Sequence, residues 1–248
     1  IVRRKGRAAL ISIMIAVSMI GLLLMEGMYE GMMVQITQNS IKTGSGTVSI
    51  QHTLFRSDNN LKYTIANPRQ ITAMLDSQKE VQSYVTRINQ RGLIATAGYS
   101  QGVNVIGVDL SRESSHAKLE NFIIKGDYSF DKNGRGALIG YRLAKKLKVD
   151  IGKKVIVTMQ DTNNEVVSVA LKIRGILKTN NMAIDSNGLL MDIERLRSLN
   201  GVQGATEISI LLHEQNDDAK LIRSLIPKIN DQNIAVYSYK ELYPSLHE

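Results

Sequence analysis

Ser100 stands between two glycines, Gly98 and Gly102, in a Gly-x-Ser-x-Gly run. That pattern makes the sharp turn which presents a serine nucleophile between a strand and a helix. The chemistry needs the helix. Residues 103–109 (VNVIGVD) alternate apolar and polar side chains instead, which predicts a strand, so the run reads as a β-turn. Asp127 and His213 lie downstream, but no spacing ties them to Ser100. His52, His116, His213 and His247 are too far apart for metal-ligand spacing; they read as exposed or capping histidines. No phosphate loop ending in Lys-Ser/Thr occurs. With no cysteine there is neither a disulfide framework nor a thiolate metal site. The residues therefore suggest no enzyme, and no catalytic, cofactor or metal site in this chain.

What remains is a stripe of soft apolar side chains. Met25, Met28, Met32 and Ile36 recur at spacings of three and four, which puts them on one helix face. Methionine adapts to irregular apolar partners. Two readings stay open: the stripe borders a path for an apolar cargo, or it packs on a neighbouring membrane helix. Gly27 and Gly31 form a Gly-x-x-x-Gly spacing. It either lets a second helix approach closely or marks a flexible exit, and Glu30 between the glycines points to a wet position.

The stripe leaves residues 8–25 (AALISIMIAVSMIGLLLM), which carry no charge. At 1.5 Å per residue such a helix spans about 27 Å, close to the thickness of a bilayer hydrocarbon core. Ser12 and Ser18 are its only polar side chains, and a hydroxyl can bond back to its own helix. Arg3, Arg4, Lys5 and Arg7 precede it, and Glu26 and Glu30 follow. Basic flanks stay in the cytoplasm, so these four residues set the topology and the chain after about Gly27 faces outward. A cleaved signal peptide would have a shorter core and a small-x-small cleavage site; Met-Glu-Gly-Met-Tyr-Glu follows instead. Roughly 200 residues remain, enough for one large domain or two small lobes. The whole chain is 22% charged and 43% hydrophobic, so this remainder reads as globular. Half of the +8 net charge sits in the four basic residues before the helix, and no dense basic run remains for nucleic acid.

The helical stripe continues to about Ile41, giving a stalk that glycines 44 and 46 end. Residues 47–51 read as a strand. Asn67 and Pro68 start a helix with Ile71, Met74 and Leu75 on one face, and residues 81–97 read as extended structure broken at Gly92. Then come a strand at 103–109, a short strand and turn at 123–128 and another strand at 136–140. A helix follows over 141–148, burying Leu143, Ala144 and Leu147. The residues 161–164 have hairpin chemistry, and Val167, Val169, Leu171 and Ile173 line the buried side of the returning strand. Strands at 188–191, 207–213 and 234–237 alternate with helices. One is capped by Asp192 and ended by Gly201. The other is capped by Asn216 or Asp217, carries Leu221, Ile222, Leu225 and Ile229 inward, and is cut short by Pro227. The simplest organisation is α+β: two βαβ-type halves around a β-rich insert.

In their order these segments resemble the ABC transporter permeases of the lipoprotein-releasing (LolC/LolE-type), macrolide-exporter (MacB-type) and FtsX-like family. Residues 105–109 (VIGVD), 139–147 (IGYRLAKKL), 151–157 (IGKKVIV), 173–176 (IRGI) and 238–244 (SYKELYP) carry the resemblance. The last is more similar to the lipoprotein-releasing members. The resemblance implies an N-terminal transmembrane helix followed by a two-lobed periplasmic domain. The boundaries are then 1–43 for the basic flank, helix and stalk, 44–91 with 181–240 for a βαβ-type first lobe, 92–180 for an inserted β-rich lobe, and 241–248 for the approach to a second membrane helix. It implies location in the bacterial inner membrane with the N-terminus cytoplasmic. Its implied partners are a cytoplasmic ATPase dimer holding the ATP and Mg, a second permease subunit, membrane lipid, and lipoprotein cargo with a periplasmic carrier or adaptor. One lipoprotein-releasing permease holds its carrier with a long hook in the middle hairpin; here that hairpin is only residues 160–165. The alternative reading is the ectodomain of a membrane-anchored sensor or binding protein.

Overall fold

The computed structural model describes residues 5–214, 217–229 and 231–242. In chain order the elements are α1 (Lys5–Thr43), β1 (Val48–His52), α2 (Phe55–Asp58), α3 (Pro68–Leu75), β2 (Val81–Ala95), β3 (Ser100–Val108) and α4 (Leu110–His116). After a 3-10 turn over Leu119–Phe122 come β4 (Ile123–Gly126), β5 (Gly136–Gly140), α5 (Tyr141–Leu147), β6 (Lys154–Gln160), β7 (Val166–Leu177) and α6 (Met182–Asn187). The last are β8 (Gly188–Asp192), α7 (Ile193–Asn200), β9 (Glu207–Leu212), α8 (Asp218–Leu225), β10 (Ile234–Ser238) and α9 (Tyr239–Leu242). The chain divides into two units, residues 1–38 and 39–248.

Helix α1 is 39 residues long, about 58 Å at 1.5 Å per residue. It is the one helix among the described residues long and apolar enough to cross a membrane, and its apolar window is 0% buried. Ser18 Oγ donates to the Met14 carbonyl at 2.8 Å, so the polar group inside the window is satisfied within the helix. The helix runs through Gly27 and Gly31 without a break, so those glycines do not make a flexible exit.

The second unit is built on one ten-stranded sheet ordered β10-β1-β9-β2-β3-β8-β5-β7-β4, with β6 set against β2 and β7. In the first half, β1 lies antiparallel between β10 and β9, and β9 lies antiparallel to β2. Thus β1 and β2, joined through α3, flank β9, while β9 and β10, joined through α8, flank β1. These are two interleaved split βαβ units, one from each end of the chain. Val48, Ile50, Ile208 and Ile210 pack with Ile71 and Leu75 of α3 and with Leu221 and Leu225 of α8. Pro68 starts α3 as expected. Helix α8 stops at Leu225, before Pro227.

Strand β2 joins the two halves. Residues 81–87 pair with β9, residues 88–95 pair with β3, and residues 93–95 also pair with β6. The expected break at Gly92 is absent. The glycine marks a close approach instead: a Cβ there would sit 2.7 Å from the Thr158 carbonyl oxygen. A second core gathers Ile88, Val105, Leu143, Leu147, Val155, Val157 and Leu171. The α5 face matches expectation, with Leu143, Ala144 and Leu147 buried, and β6 and β7 pair along their full hairpin register. One assignment differs. Strand β8, grouped by sequence with residues 181–240, pairs parallel with β3 and antiparallel with β5, and Ile193 and Leu196 of α7 enter the second core. The physical reason is the free edge that β3 presents, a feature no local pattern around residue 188 encodes.

Candidate functional site

The first half-sheet has two buried faces of opposite character. Its apolar face lies under α3 and α8. On the other face, alternation along β1 and β9 places Ser49, Gln51, Glu207 and Ser209, all buried. Burying polar groups costs free energy unless each is hydrogen-bonded, and here they are. Glu207 accepts from Ser49 Oγ at 2.9 Å, Gln51 Nε2 at 3.2 Å and Asn89 Nδ2 at 2.5 Å.

The same face holds the residues that follow α1. Gly44 N donates to the Ser40 carbonyl at 2.8 Å and Gly46 N to the Ile41 carbonyl at 3.1 Å, closing the helix end. Gly46 has φ +79°, a conformation glycine adopts without steric cost. Thr47 N then donates to Ile210 O at 2.7 Å and Tyr239 N to Thr47 O at 3.0 Å. Ile41, Leu211 and Tyr239 form a small buried cluster of their own. The chain therefore enters and leaves the sheet domain at one place.

Two sets of side chains grip this point. Asn181 Nδ2 donates to Thr43 Oγ1 at 3.1 Å, while its Oδ1 caps α6 by accepting from Ala183 N. On the other side Arg87 Nη1 donates to the Gly44 carbonyl. Arg87 Nε and Nη2 donate to the two oxygens of Glu113 at 2.6 and 2.8 Å, with the side chains only 5% and 1% exposed. This bidentate fork fixes the guanidinium plane. Ser209 Oγ also donates to Gly44 O, at 3.3 Å. His116 is 5% exposed, with Nε2 3.1 Å from Ser209 Oγ and Nδ1 2.9 Å from Ser83 Oγ. Because the Ser209 proton is committed to Gly44, the network assigns the imidazole proton to Nε2, leaving Nδ1 to accept from Ser83. Burial, with Arg87 nearby adding to it, lowers the His116 pKa to about 3, so the ring is neutral near pH 7.

Helix α4 supplies Glu113 and His116 at a spacing of three, hence on one face, and Asp109 caps it by accepting from Ser111 N at 2.9 Å. These residues escaped the sequence reading, and His116 corrects it directly, since the histidines were expected to be exposed or capping. A signal existed: after Leu110, α4 reads SRESSH, with no apolar stripe to bury. A helix of that kind held in a core must be held by polar groups. Among the other histidines, His52 is fixed by accepting from Leu54 N at 3.2 Å and by packing on the Tyr63 ring at 5.0 Å; His247 lies outside the described residues.

Of the residues singled out by sequence, Met25, Met28 and Met32 are 72%, 78% and 53% exposed on α1, and Ile36 is half-buried. Arg7 is exposed on the same helix. Arg3 and Arg4, the side chain of Lys5, the cap choice Asn216 and the approach segment 243–248 lie outside the described residues. Ser100 opens β3 opposite Ala95, and Thr96 N donates to Tyr99 O at 2.8 Å to close the turn. A strand follows the serine, so the nucleophile geometry is not formed there.

Residues 8–227 match the family described as the MacB-like periplasmic core domain. No curated protein matches the sequence. Among solved structures, the extracellular domain of the noncanonic ABC-type transporter YknZ from Gram-positive bacteria aligns with TM-score 0.52 at 16% identity, covering 77% of this chain and 99% of that one. The periplasmic region of MacB from Actinobacillus actinomycetemcomitans aligns with TM-score 0.53 at 10% identity, covering 81% and 92%. At such identities the likeness is one of fold.

Proposed function

The chain belongs to the MacB-like periplasmic core domain family, the periplasmic domain of ABC-type transporter permeases, and on that footing we propose that it carries motion between a membrane helix and this domain. In this reading α1 spans the bacterial inner membrane with Arg3, Arg4, Lys5 and Arg7 in the cytoplasm, as the positive-inside rule suggests. A partner ATPase dimer hydrolyses ATP, a second permease subunit completes the transporter, and periplasmic motion releases or exports an apolar cargo. Lipoprotein release is the favoured cargo reading, supported by the resemblance of residues 238–244. The short loop between β6 and β7 favours a carrier held elsewhere. The two-lobe division is part of the proposal. Two separate cores support it, and the pairing of β8 with β3 and β5 supports counting β8 and α7 with the inserted lobe.

The observation that carries this reading is the grip on the end of α1. Thr43 and Gly44 are each held by a buried side chain rooted in a different part of the domain, Asn181 before α6 and Arg87 on β2. A rigid-body change of the kind used in molecular switches needs such a fixed point. The test is reconstitution of the permease with its ATPase in proteoliposomes carrying a radiolabelled triacylated lipoprotein. Asn181→Ala combined with Thr43→Val should leave ATP hydrolysis near wild type and lower release per ATP several-fold. Unchanged release per ATP would refute the coupling role.

A further inference from the structure

The grip on Gly44 contains a titratable group that holding alone does not require. Ser209 donates to the Gly44 carbonyl and is itself set by His116. Both ring nitrogens are occupied, Nε2 by Ser209 on β9 and Nδ1 by Ser83 on β2. His116 thus ties α4 to two strands of the sheet. The charged groups around it are Arg87 on β2, which takes Glu113 of α4 as its partner, and Glu207 on β9 in register with Arg87. The Glu207 carboxylate is taken up by Ser49, Gln51 and Asn89. Tyr128 donates to the Leu110 carbonyl at the start of α4 at 3.2 Å, and burial raises its pKa, so it stays neutral. Among the described residues no carboxylate is hydrogen-bonded to the imidazole ring; both its hydrogen-bond partners are serine hydroxyls.

We propose that His116 is a proton-operated latch: taking up a proton drives α4 away from the sheet and frees the Gly44 carbonyl from the Ser209 and Arg87 donors. A second cation beside Arg87, in a space closed to water, has no counter-charge of its own, since Glu113 is already engaged on both oxygens. The relief is to expose the ring to solvent, which requires α4 to lift. Glu113 travels on the same helix, so Arg87 loses its orienting partner in the same movement.

The sign follows from linkage. The latched ring has its pKa lowered to about 3, and a solvated ring returns to about 6.5. Between those values the open state binds more protons than the latched state, so opening is favoured as pH falls and latching as pH rises above about 6.5. From pH 7.5 to 5.5 the opening constant of the latch rises about tenfold on these values. The inference rests on the coupling reading for its biological meaning, but its test reads the latch and not transport, so either can fail alone.

The experiment is amide hydrogen exchange by mass spectrometry on the full chain in detergent at pH 7.5 and 5.5, corrected for the intrinsic pH dependence of exchange. Peptides covering residues 40–47 and 110–117 should lose protection about tenfold at the lower pH. A peptide covering residues 188–192 in β8 should not change. His116→Gln keeps a donor toward Ser209 and cannot take a proton, so it should make the first two peptides insensitive to pH. A flat wild-type response, an equal loss in β8, or a pH response that survives in His116→Gln would each overturn the proposal. Should His116→Gln fail to fold, the wild-type contrast between the latch peptides and β8 decides.

Discussion

Removing one member of the Arg87–Glu113 pair should be among the most damaging single changes in the sheet domain. The two side chains are 5% and 1% exposed and 2.6 Å apart, with a second bond at 2.8 Å. Glu113→Ala removes the carboxylate that accepts both bonds of the buried guanidinium fork, and breaking such a pair from one side costs about 3–5 kcal/mol. For a unit of this size each kcal/mol shifts Tm by about 2–4 °C, so the expected loss is on the order of 10 °C. The double variant Arg87→Met with Glu113→Leu removes both charges and keeps apolar volume. Buried pairs replaced in that way are often neutral in stability, so most of the Tm should return. The double variant still lacks the donor to Gly44. It therefore separates the two roles of the pair: stability recovers, while release per ATP in the reconstituted transporter does not. The assay is thermal unfolding of the full chain in detergent at neutral pH, single and double variants side by side. A Glu113→Ala loss below about 1 kcal/mol would refute the argument, because it would mean that the guanidinium finds water or another partner at no cost.

Gly46→Ala should destabilise by more than about 2 kcal/mol, since the residue sits at φ +79° and a Cβ would fall onto the Ile210 carbonyl; chemical denaturation measures it. Ser100→Ala should change stability by less than about 0.5 kcal/mol, and a fluorophosphonate probe should leave Ser100 unlabelled; labelling would revive the hydrolase reading. Met32→Asp separates the two readings of the α1 stripe. On a cargo path it leaves membrane abundance and ATP hydrolysis near normal and cuts release per complex, whereas at a helix-packing face it removes the complex from the membrane. Met32→Leu should be nearly silent in both cases, costing less than about 1.5 kcal/mol.

Features set by neighbouring residues were readable from sequence. Pro68 announces α3, although the Asn67 side chain makes no cap bond; glycines 44 and 46 end α1, Pro227 bounds α8, and the 161–164 run turns β6 into β7. Each depends on backbone preferences within a few positions. What escaped was set by distant segments. Alternation in β1 and β9 registers which side chains share a face, not what covers that face. Here the polar face is covered as completely as the apolar one, so Ser49, Glu207 and Ser209 are interior residues. Gly92 suggested an interruption because a glycine weakens a strand in isolation; it is required by the approach of Thr158 in β6, 66 positions later in the chain. His116 was placed outside because a lone histidine on a polar helix has no sequence partner, and both its partners, Ser83 and Ser209, are met only after folding. The split arrangement of β1, β9, β2 and β10 escaped for the same reason, since each pairing spans most of the chain.

The Thr47 carbonyl accepting from Tyr239 N brings together two backbone points separated by nearly the whole sheet domain. To whatever sequence lies outside that bond, the intervening residues amount to a very short loop, because the entropy of closing it is met by the domain's own folding. Such a domain can be enlarged, replaced or lost between two flanking segments without changing the distance those segments must span, and ends that lie close together are the usual mark of a transplantable module. The solved domains that share this fold at 10% and 16% identity show how far the sequence of such a domain can diverge while the fold is kept.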